Sequence, residues 1–145
     1  MESCPDGVFK WILRYVDKAT GAPWVEALPN KNASTVAFCL IRIFAHKGAP
    51  RILHCDNGSE FLNEVLAVIK QFWPSSKIIN GGVRRPQTQG QVERGNYPFK
   101  LALTAMVEDT GERRWSILIH LVNGQMLRRV HHGRGFTPYA LLYSQ

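Results

Sequence analysis

The sequence predicts an α/β domain in which helices cover a mixed β-sheet. Short runs rich in β-branched and aromatic residues are interleaved with longer stretches of helical spacing, in the order β-β-α-β-α-β-α-α-α. Hydrophobic residues make up 45% and charged residues 20% of the 145 residues, which is typical of one globular domain. No apolar run reaches the roughly 18 residues that a membrane-spanning helix needs, so we expect no membrane partner.

The N-terminal part predicts a β-hairpin and a helix. Residues 8–17 are rich in β-branched and aromatic side chains and predict the first strand, and a proline ends the second strand at 24–29. The letters KATGAP between them supply the glycine and proline of a tight connection. Asn30 or Asn32 then caps a helix whose dense apolar residues are followed by Gly48 as the terminator.

The middle of the chain predicts two short strands around a second helix. Residues 51–55 form a nearly continuous apolar run, which suits a buried strand. Apolar residues recur at helical spacing over 60–73, a proline closes this helix, and a further short strand follows at 76–80. The stretch 81–90, with three glycines and two arginines, predicts a loop.

Three further helices are predicted in the C-terminal part, over 91–109, 112–130 and 136–143. The last begins with Thr137 as its cap and Pro138 at its first helical position. The first has an apolar stripe formed by four residues: Val92, Phe99, Leu103 and Met106.

The helix over 91–109 contains two residues that disfavour a helix interior. An interior proline costs about 3 kcal/mol and a glycine about 1 kcal/mol. Because of Pro98, we expect either a kink near Gly95 or a restart of the helix with Asn96 as its cap. A restart would separate Glu93 and Lys100, which otherwise share one face of the helix.

Positive charge is concentrated in the second half of the chain. The formal net charge is +7, and residues 1–80 carry 9 basic against 7 acidic residues, or +2. Residues 81–145 carry 9 basic against 4 acidic residues, or +5. A basic half predicts a polyanionic partner, most simply nucleic acid.

Acidic and polar residues fall where a sheet edge and a helix face are predicted. Asp56 directly follows the strand at 51–55, and in open α/β sheets ligands bind at the carboxyl ends of the strands. Four polar residues spaced by 4, 3 and 4 positions share one helical face: Gln89, Glu93, Asn96 and Lys100. A turn at Asn57-Gly58 and a solvated helix face are the alternative, purely structural interpretations.

Two of these motifs point to a known family. DNGSEF at 56–61 and PQTQGQVERGN at 86–96 resemble the integrase catalytic core of retroviruses and Ty3/Gypsy-like retrotransposons, including host-domesticated members. The stretches YVDKATGAPWVEALP, HKGAPRIL and TPYALLY agree with the same family, so the likeness covers essentially the whole chain. The resemblance implies a ribonuclease-H-like fold, which is a five-stranded mixed sheet with helices on both faces.

The resemblance also implies metal-dependent chemistry on DNA. In this family three carboxylates hold two Mg²⁺ or Mn²⁺ ions, about 3.5–4 Å apart, which activate the nucleophile and stabilise the leaving oxygen. Carried over by matching position, Asp56 and Glu93 are the catalytic metal ligands of this chain. The same resemblance implies that five residues face or contact DNA, the first two of them through phosphates: Arg84, Arg85, Gln89, Asn96 and Lys100.

The third carboxylate of the family has no good match in this sequence. It is an Asp on the first, central strand, and its matching place falls before Met1. We therefore expect a chain that is incomplete at its N-terminus, with the central strand largely missing and with weak or no metal binding. Glu2 and Asp6 are the nearest acids, but Glu2 lies at a fraying terminus and Asp6 in the turn signal Pro-Asp-Gly.

Three functions follow from these patterns. The first is a transposon-derived, DNA-binding integrase core whose strand-transfer activity is impaired. The second is an active polynucleotidyl transferase or endonuclease, whose site Glu2, Asp6 or upstream residues complete. The third is a non-catalytic oligomerisation module, for which a homodimer is the simplest assembly. Three cysteines without metal spacing are typical of reduced thiols, so we expect a nuclear or otherwise intracellular protein.

Overall fold

Four strands and five helices occur in the predicted order within the part of the chain that the structure describes. The structure is a computed structural model that describes residues 5–55, 59–80, 86–130 and 135–143, with only the backbone described at 55, 59–61, 78–80 and 86–95. Within these residues the elements are β1 (Trp11–Val16), β2 (Pro23–Leu28), α1 (Ala33–Lys47), β3 (Ile52–Cys55), α2 (Ser59–Phe72), β4 (Lys77–Asn80), α3 (Pro86–Thr110), α4 (Trp115–Arg128) and α5 (Pro138–Tyr143).

The chain divides into two compact units. One unit combines Met1–Pro29 with Asn96–Gln145, and the other is Asn30–Gly95. The first therefore contains β1, β2, α4, α5 and the greater part of α3, and the second contains α1, β3, α2 and β4. The expectation of a single domain stays a prediction.

A tight connection joins β1 and β2 into the predicted antiparallel hairpin. The N–H of Asp17 donates to the C=O of Ala22 at 2.9 Å, and Gly21, at φ 75°, donates its N–H to the C=O of Asp17 at 2.7 Å. Only glycine adopts this positive φ without strain. In the register, Val16 lies opposite Pro23. This position of the antiparallel ladder is a pair without main-chain hydrogen bonds, so the proline is tolerated although it has no N–H.

The hydrophobic core of the first unit lies between β2, α3 and α4. Val25 of β2 and Phe99 and Leu103 of α3 are all less than 10% exposed and pack with the buried face of α4. Met106 packs at the edge of this core. The predicted apolar stripe of α3 is therefore confirmed for these three α3 residues, whereas the side chain of Val92 lies outside the described residues.

A distant carboxylate caps the start of α4. Asp6 lies in the predicted turn, in which Asp6 and Phe9 exchange two main-chain hydrogen bonds of 3.0 Å around Gly7. Its Oδ2 atom accepts the N–H of Ser116, in the first turn of α4, at 2.9 Å. Arg114, the residue that precedes the helix, makes no capping hydrogen bond with its side chain. Asp6 therefore satisfies one of the free N–H groups at the positive end of α4.

The second unit packs two helices and a parallel strand pair. Strand β3 pairs with β4 in parallel, from Ile52 opposite Lys77 to Cys55 opposite Asn80. Helix α1 packs on α2, which in turn contacts β4. The buried ring of Phe44 meets the ring of Trp73 edge-on, with 5.9 Å between the ring centroids.

The described strands contain both pairing types of a mixed sheet. They form two sheets of two strands each, β1–β2 antiparallel and β3–β4 parallel. The predicted α/β class is confirmed. No described helix has both the length and the apolar character that crossing a membrane requires.

Asp6→Ala tests the capping role of this carboxylate. The substitution should lower the free energy of unfolding by about 1 kcal/mol, because the N–H of Ser116 loses its acceptor. Urea unfolding followed by circular dichroism measures the loss. The matched control is Asp109→Ala, which removes an exposed carboxylate and should change stability by less than about 0.5 kcal/mol. Equal stability of the two variants would contradict the capping role.

Candidate functional site

The residues predicted to face DNA lie largely on α3, and α3 is one unbroken helix. Two predictions about this helix are wrong. Residues 86–90 are helical and not part of a loop, because Pro86 suits the first helical position, where no N–H partner is needed. The helix also does not restart after its glycine, since it continues through Gly95 and Pro98 to Thr110.

An unbroken α3 keeps four polar residues on one face. At about 100° per residue, spacings of 4, 3 and 4 positions place their Cα atoms within an arc of about 60°. The Asn96 side chain is half-buried and that of Lys100 is exposed. Gln89 and Glu93 have a helical backbone, and their side chains lie outside the described residues. The backbone of α3 therefore places all four positions on one face of the helix.

The other predicted site residues fall outside the part of the chain that the structure describes. They are Asp56, Arg84 and Arg85, together with the alternative acid Glu2. Their roles stay predictions.

An arginine that the sequence analysis missed supports the site helix. The Nη1 atom of Arg14, in β1, donates a hydrogen bond to Oδ1 of Asn96 at 3.2 Å. Arg14 lies opposite Val25, and Val25 belongs to the core that α3 covers. Strand β1 thus orients the amide of Asn96, which the family resemblance predicts to face DNA. The only signal in the sequence was a charged residue within a run of apolar and aromatic ones.

Arg14 is a half-buried cation that pairs with no carboxylate among the residues that the structure describes. Its hydrogen bond to Asn96 is to a neutral amide, and its Nε atom is buried without an acceptor among the described residues. Burial lowers the pKa of the guanidinium, because the charged form is desolvated. The site therefore carries two positive charges, that of Arg14 on the strand next to α3 and that of the exposed Lys100 on α3 itself.

Exposed apolar side chains adjoin the polar face of α3. Tyr97 is 65% and Leu101 is 53% exposed, and they are one turn apart on the helix. Asn96 and Lys100 directly precede them in the sequence. An amide, an ammonium group and an aromatic ring side by side suit a nucleic acid, which presents phosphates and stacking bases.

No group of three or more His, Cys, Asp and Glu side chains capable of holding a metal occurs among the residues described. The predicted ligand Asp56 lies outside them, as does the side chain of Glu93. Asp6, the alternative third ligand, already accepts the N–H of Ser116. Recruiting Asp6 to a metal site would remove the cap of α4, and this argues against that alternative.

Comparison with known proteins agrees with the predicted family. Residues 2–75 match the family described as integrase core domain. The chain is 33% identical over 116 residues to KRAB-A domain-containing protein 2 of Homo sapiens, covering 80% of this chain and 24% of that protein. It is 37% identical over 142 residues to the Gag-Pol polyprotein of gibbon ape leukemia virus, covering 92% of this chain and 8% of the polyprotein. The chain thus spans at most about a quarter of these relatives.

Solved structures show the same fold. The catalytic core domain of BIV integrase superposes with a TM-score of 0.73 at 25% identity, covering 92% of this chain and 85% of that one. The HTLV-2 integrase catalytic core domain in complex with magnesium, in a trimeric form, has a TM-score of 0.73 at 18% identity and covers 91% of this chain and 92% of that one. The predicted ribonuclease-H-like fold of an integrase catalytic core is confirmed.

Substitutions at Asn96 test its contact with Arg14. Asn96→Ala should lower the free energy of unfolding by about 1–3 kcal/mol, because a half-buried guanidinium loses its acceptor. Asn96→Asp keeps an acceptor and adds the opposite charge, so it should lose less. Urea unfolding of both variants, with Lys100→Ala as an exposed control on the same helix, measures the difference. Equal losses for the Ala and Asp variants would contradict the contact.

Proposed function

Because this chain belongs to the integrase core domain family, we propose that it is a DNA-binding domain of retroelement origin whose strand-transfer activity is impaired. The observation that carries the proposal is the unbroken α3, which keeps Gln89, Glu93, Asn96 and Lys100 on one face. Because DNA is met inside the cell, we propose a nuclear or otherwise intracellular location.

DNA binding is proposed to combine one helix face with the two arginines that precede the helix in the sequence. Lys100 contributes an exposed ammonium group for the phosphates, and Asn96, held by Arg14, contributes an oriented amide. Arg84 and Arg85 precede α3 and add the sequence-independent attraction expected of cations near a phosphate backbone. The excess positive charge of the second half of the chain favours the same partner.

Asp56 and Glu93 are the residues proposed to hold a divalent ion. Their carboxylates are the hard oxygen ligands that Mg²⁺ and Mn²⁺ prefer, and the HTLV-2 core was solved in complex with magnesium. A bound ion would activate a nucleophile and neutralise charge on the phosphate. These two residues match two of the three carboxylates that the family uses, so the fit is partial.

We propose impaired activity for a site built from these two carboxylates alone. Loss of a residue that only orients a ligand already costs about 10–100-fold in metal affinity, and loss of a ligand should cost more. Asp6 is committed to the cap of α4. An active enzyme would therefore need Glu2 or residues upstream of Met1 to complete the site.

The outer face of α4 supports self-association as a second proposed function. Ile117 and Leu121 are 47% and 57% exposed and lie one turn apart. Exposed apolar residues at this spacing are typical of helix–helix contacts. We propose that two copies pair through this face. The trimeric form of the HTLV-2 core shows that a relative of the same fold assembles.

Lys100→Ala tests the DNA face of α3. The variant should bind duplex DNA more weakly whatever the DNA sequence. Because one phosphate contact is lost, the negative slope of log affinity against log salt concentration should become shallower by about one. Fluorescence anisotropy across a salt series measures both quantities. Lys70→Ala removes an exposed ammonium group from α2 and is the charge-matched control. A salt slope that both variants lower equally would contradict a specific role of α3.

Metal-dependent turnover tests the proposed impairment. The chain, given duplex DNA and a titration of Mg²⁺ or Mn²⁺, should show no more nicking or strand joining than its Asp56→Asn variant. Separating nicked and joined products on denaturing gels measures both reactions. If the chain shows metal-dependent activity that Asp56→Asn abolishes, the proposed impairment is contradicted and the chain is an active polynucleotidyl transferase or endonuclease.

Leu121→Lys tests the proposed pairing through α4. It should shift the chain from dimer to monomer in sedimentation velocity runs, because a charge replaces an apolar contact. Phe72→Lys, at the end of α2, changes an equally exposed apolar residue and should leave the assembly unchanged. A monomeric parent chain, or a dimer that persists in the Leu121 variant, would refute this interface.

A further inference from the structure

A serine in the first turn of α4 follows two arginines. Arg113 and Arg114 stand three and two positions before Ser116, and the residue after the serine, Ile117, is apolar. Ser116 is the only serine or threonine of the sequence with a basic residue at both of these positions. Two arginines, a spacer, a hydroxyl group and an apolar residue form a charge pattern by which one class of protein kinases selects its substrates.

The groups that such a kinase recognises are accessible. Arg113, Arg114 and Ile117 are exposed, the last of them by 47%, and Ser116 is half-buried. Arg114 forms an ion pair with Glu112 at 2.6 Å, and this pair is screened by water because its arginine is exposed. Both guanidinium groups can therefore turn to the carboxylates of a kinase groove, which are their best partners.

The folded chain holds this segment closed at two points. Trp115, between the arginines and the serine, is 8% exposed and belongs to the core of the first unit. The N–H of Ser116 donates to Oδ2 of Asp6 at 2.9 Å. A kinase binds its target as an extended segment, so both contacts must open first. The opening is confined to one end of a helix, and helix ends open at a lower free energy than helix centres.

We propose that Ser116 is a phosphorylation site for a kinase that selects arginines three and two positions before its target, and that the phosphate displaces Asp6 from α4. The Oγ atom of Ser116 attacks the γ-phosphorus of ATP, the bond from that phosphorus to the β–γ bridging oxygen breaks, and ADP leaves. The hydroxyl proton passes to the catalytic aspartate of the kinase. Neither DNA binding nor pairing of two copies is needed for this modification.

A phosphate on Ser116 and the carboxylate of Asp6 compete for the start of α4. Phosphoserine carries a charge of about −1.5 to −2 at pH 7, and the Asp6 oxygen lies 2.9 Å from the main-chain nitrogen of the same serine. Like charges so close together repel each other, whereas the neighbouring guanidinium groups of Arg113 and Arg114 attract the phosphate. The turn formed by Asp6 and Phe9 therefore loses its hydrogen bond to α4.

Phosphorylation of the folded chain tests the site. The chain is incubated with ATP, Mg²⁺ and the catalytic subunit of cAMP-dependent protein kinase, which selects this pattern, and mass spectrometry locates the phosphate. We expect phosphate on Ser116. Asp6→Ala should accelerate its incorporation about fivefold, because the cap that closes the segment is lost. Arg113→Gln should slow it about tenfold or more, because the kinase loses a charge pair.

Two matched variants control this experiment. Arg129→Gln removes an exposed arginine at the other end of α4 and should leave the rate unchanged. Leu121→Lys, run in parallel, prevents the proposed pairing, so that a second copy cannot shield Ser116. Absence of phosphate from Ser116 in both the parent and the Leu121 variant would overturn the inference, as would a rate that Arg113→Gln does not lower.

A thermodynamic cycle tests the displacement of Asp6. In the unmodified chain Asp6→Ala should change the unfolding equilibrium constant about fivefold, and in the phosphorylated chain it should change it less than about twofold. Urea unfolding of the four species measures both effects. In the parent chain the NMR signal of the Asp6 carboxyl carbon should also move on phosphorylation, which needs no variant. Equal effects of Asp6→Ala in both states, or an unmoved carboxyl signal, would refute the displacement.

Discussion

The continuity of α3 through Gly95 and Pro98 is the constraint on which the candidate site depends. The two residues together disfavour the helix by about 4 kcal/mol. Burial of Phe99 and Leu103 against the sheet and α4 offsets this, since each large apolar side chain contributes about 1.5–3 kcal/mol. Tertiary packing of the apolar stripe of α3 therefore supports the polar face that lies beside it. A helix that restarted at Asn96 would share the apolar contacts but lose the common polar face.

The contact between Arg14 and Asn96 joins that helix to the sheet. It orients an amide on α3 and places a half-buried cation next to that helix. A change at Arg14 should therefore affect both the stability of the hairpin and the orientation of Asn96, whereas Lys100 is exposed.

Local sequence patterns predicted the order of the elements, because each strand and helix carries its own periodicity and its own terminators. Local rules were wrong for α3 in two places. Pro86 begins the helix in a stretch whose glycines predicted a loop, and packing of α3 keeps the helix continuous through Pro98. Partners that are far apart in the chain were beyond such rules. Arg14 and Asn96 are 82 positions apart, and the cap that Asp6 provides for α4 spans 110. The family resemblance supplied the site residues themselves, including those outside the described residues.

The most direct test of the central claim is an NMR titration of the chain with duplex DNA, following the ¹³Cα and amide signals of α3. The account predicts helical ¹³Cα shifts without interruption from Glu93 to Lys100, and DNA-induced amide changes that recur every three to four residues along the polar face. Random-coil shifts around Gly95, or DNA-induced changes confined to residues outside α3, would contradict it.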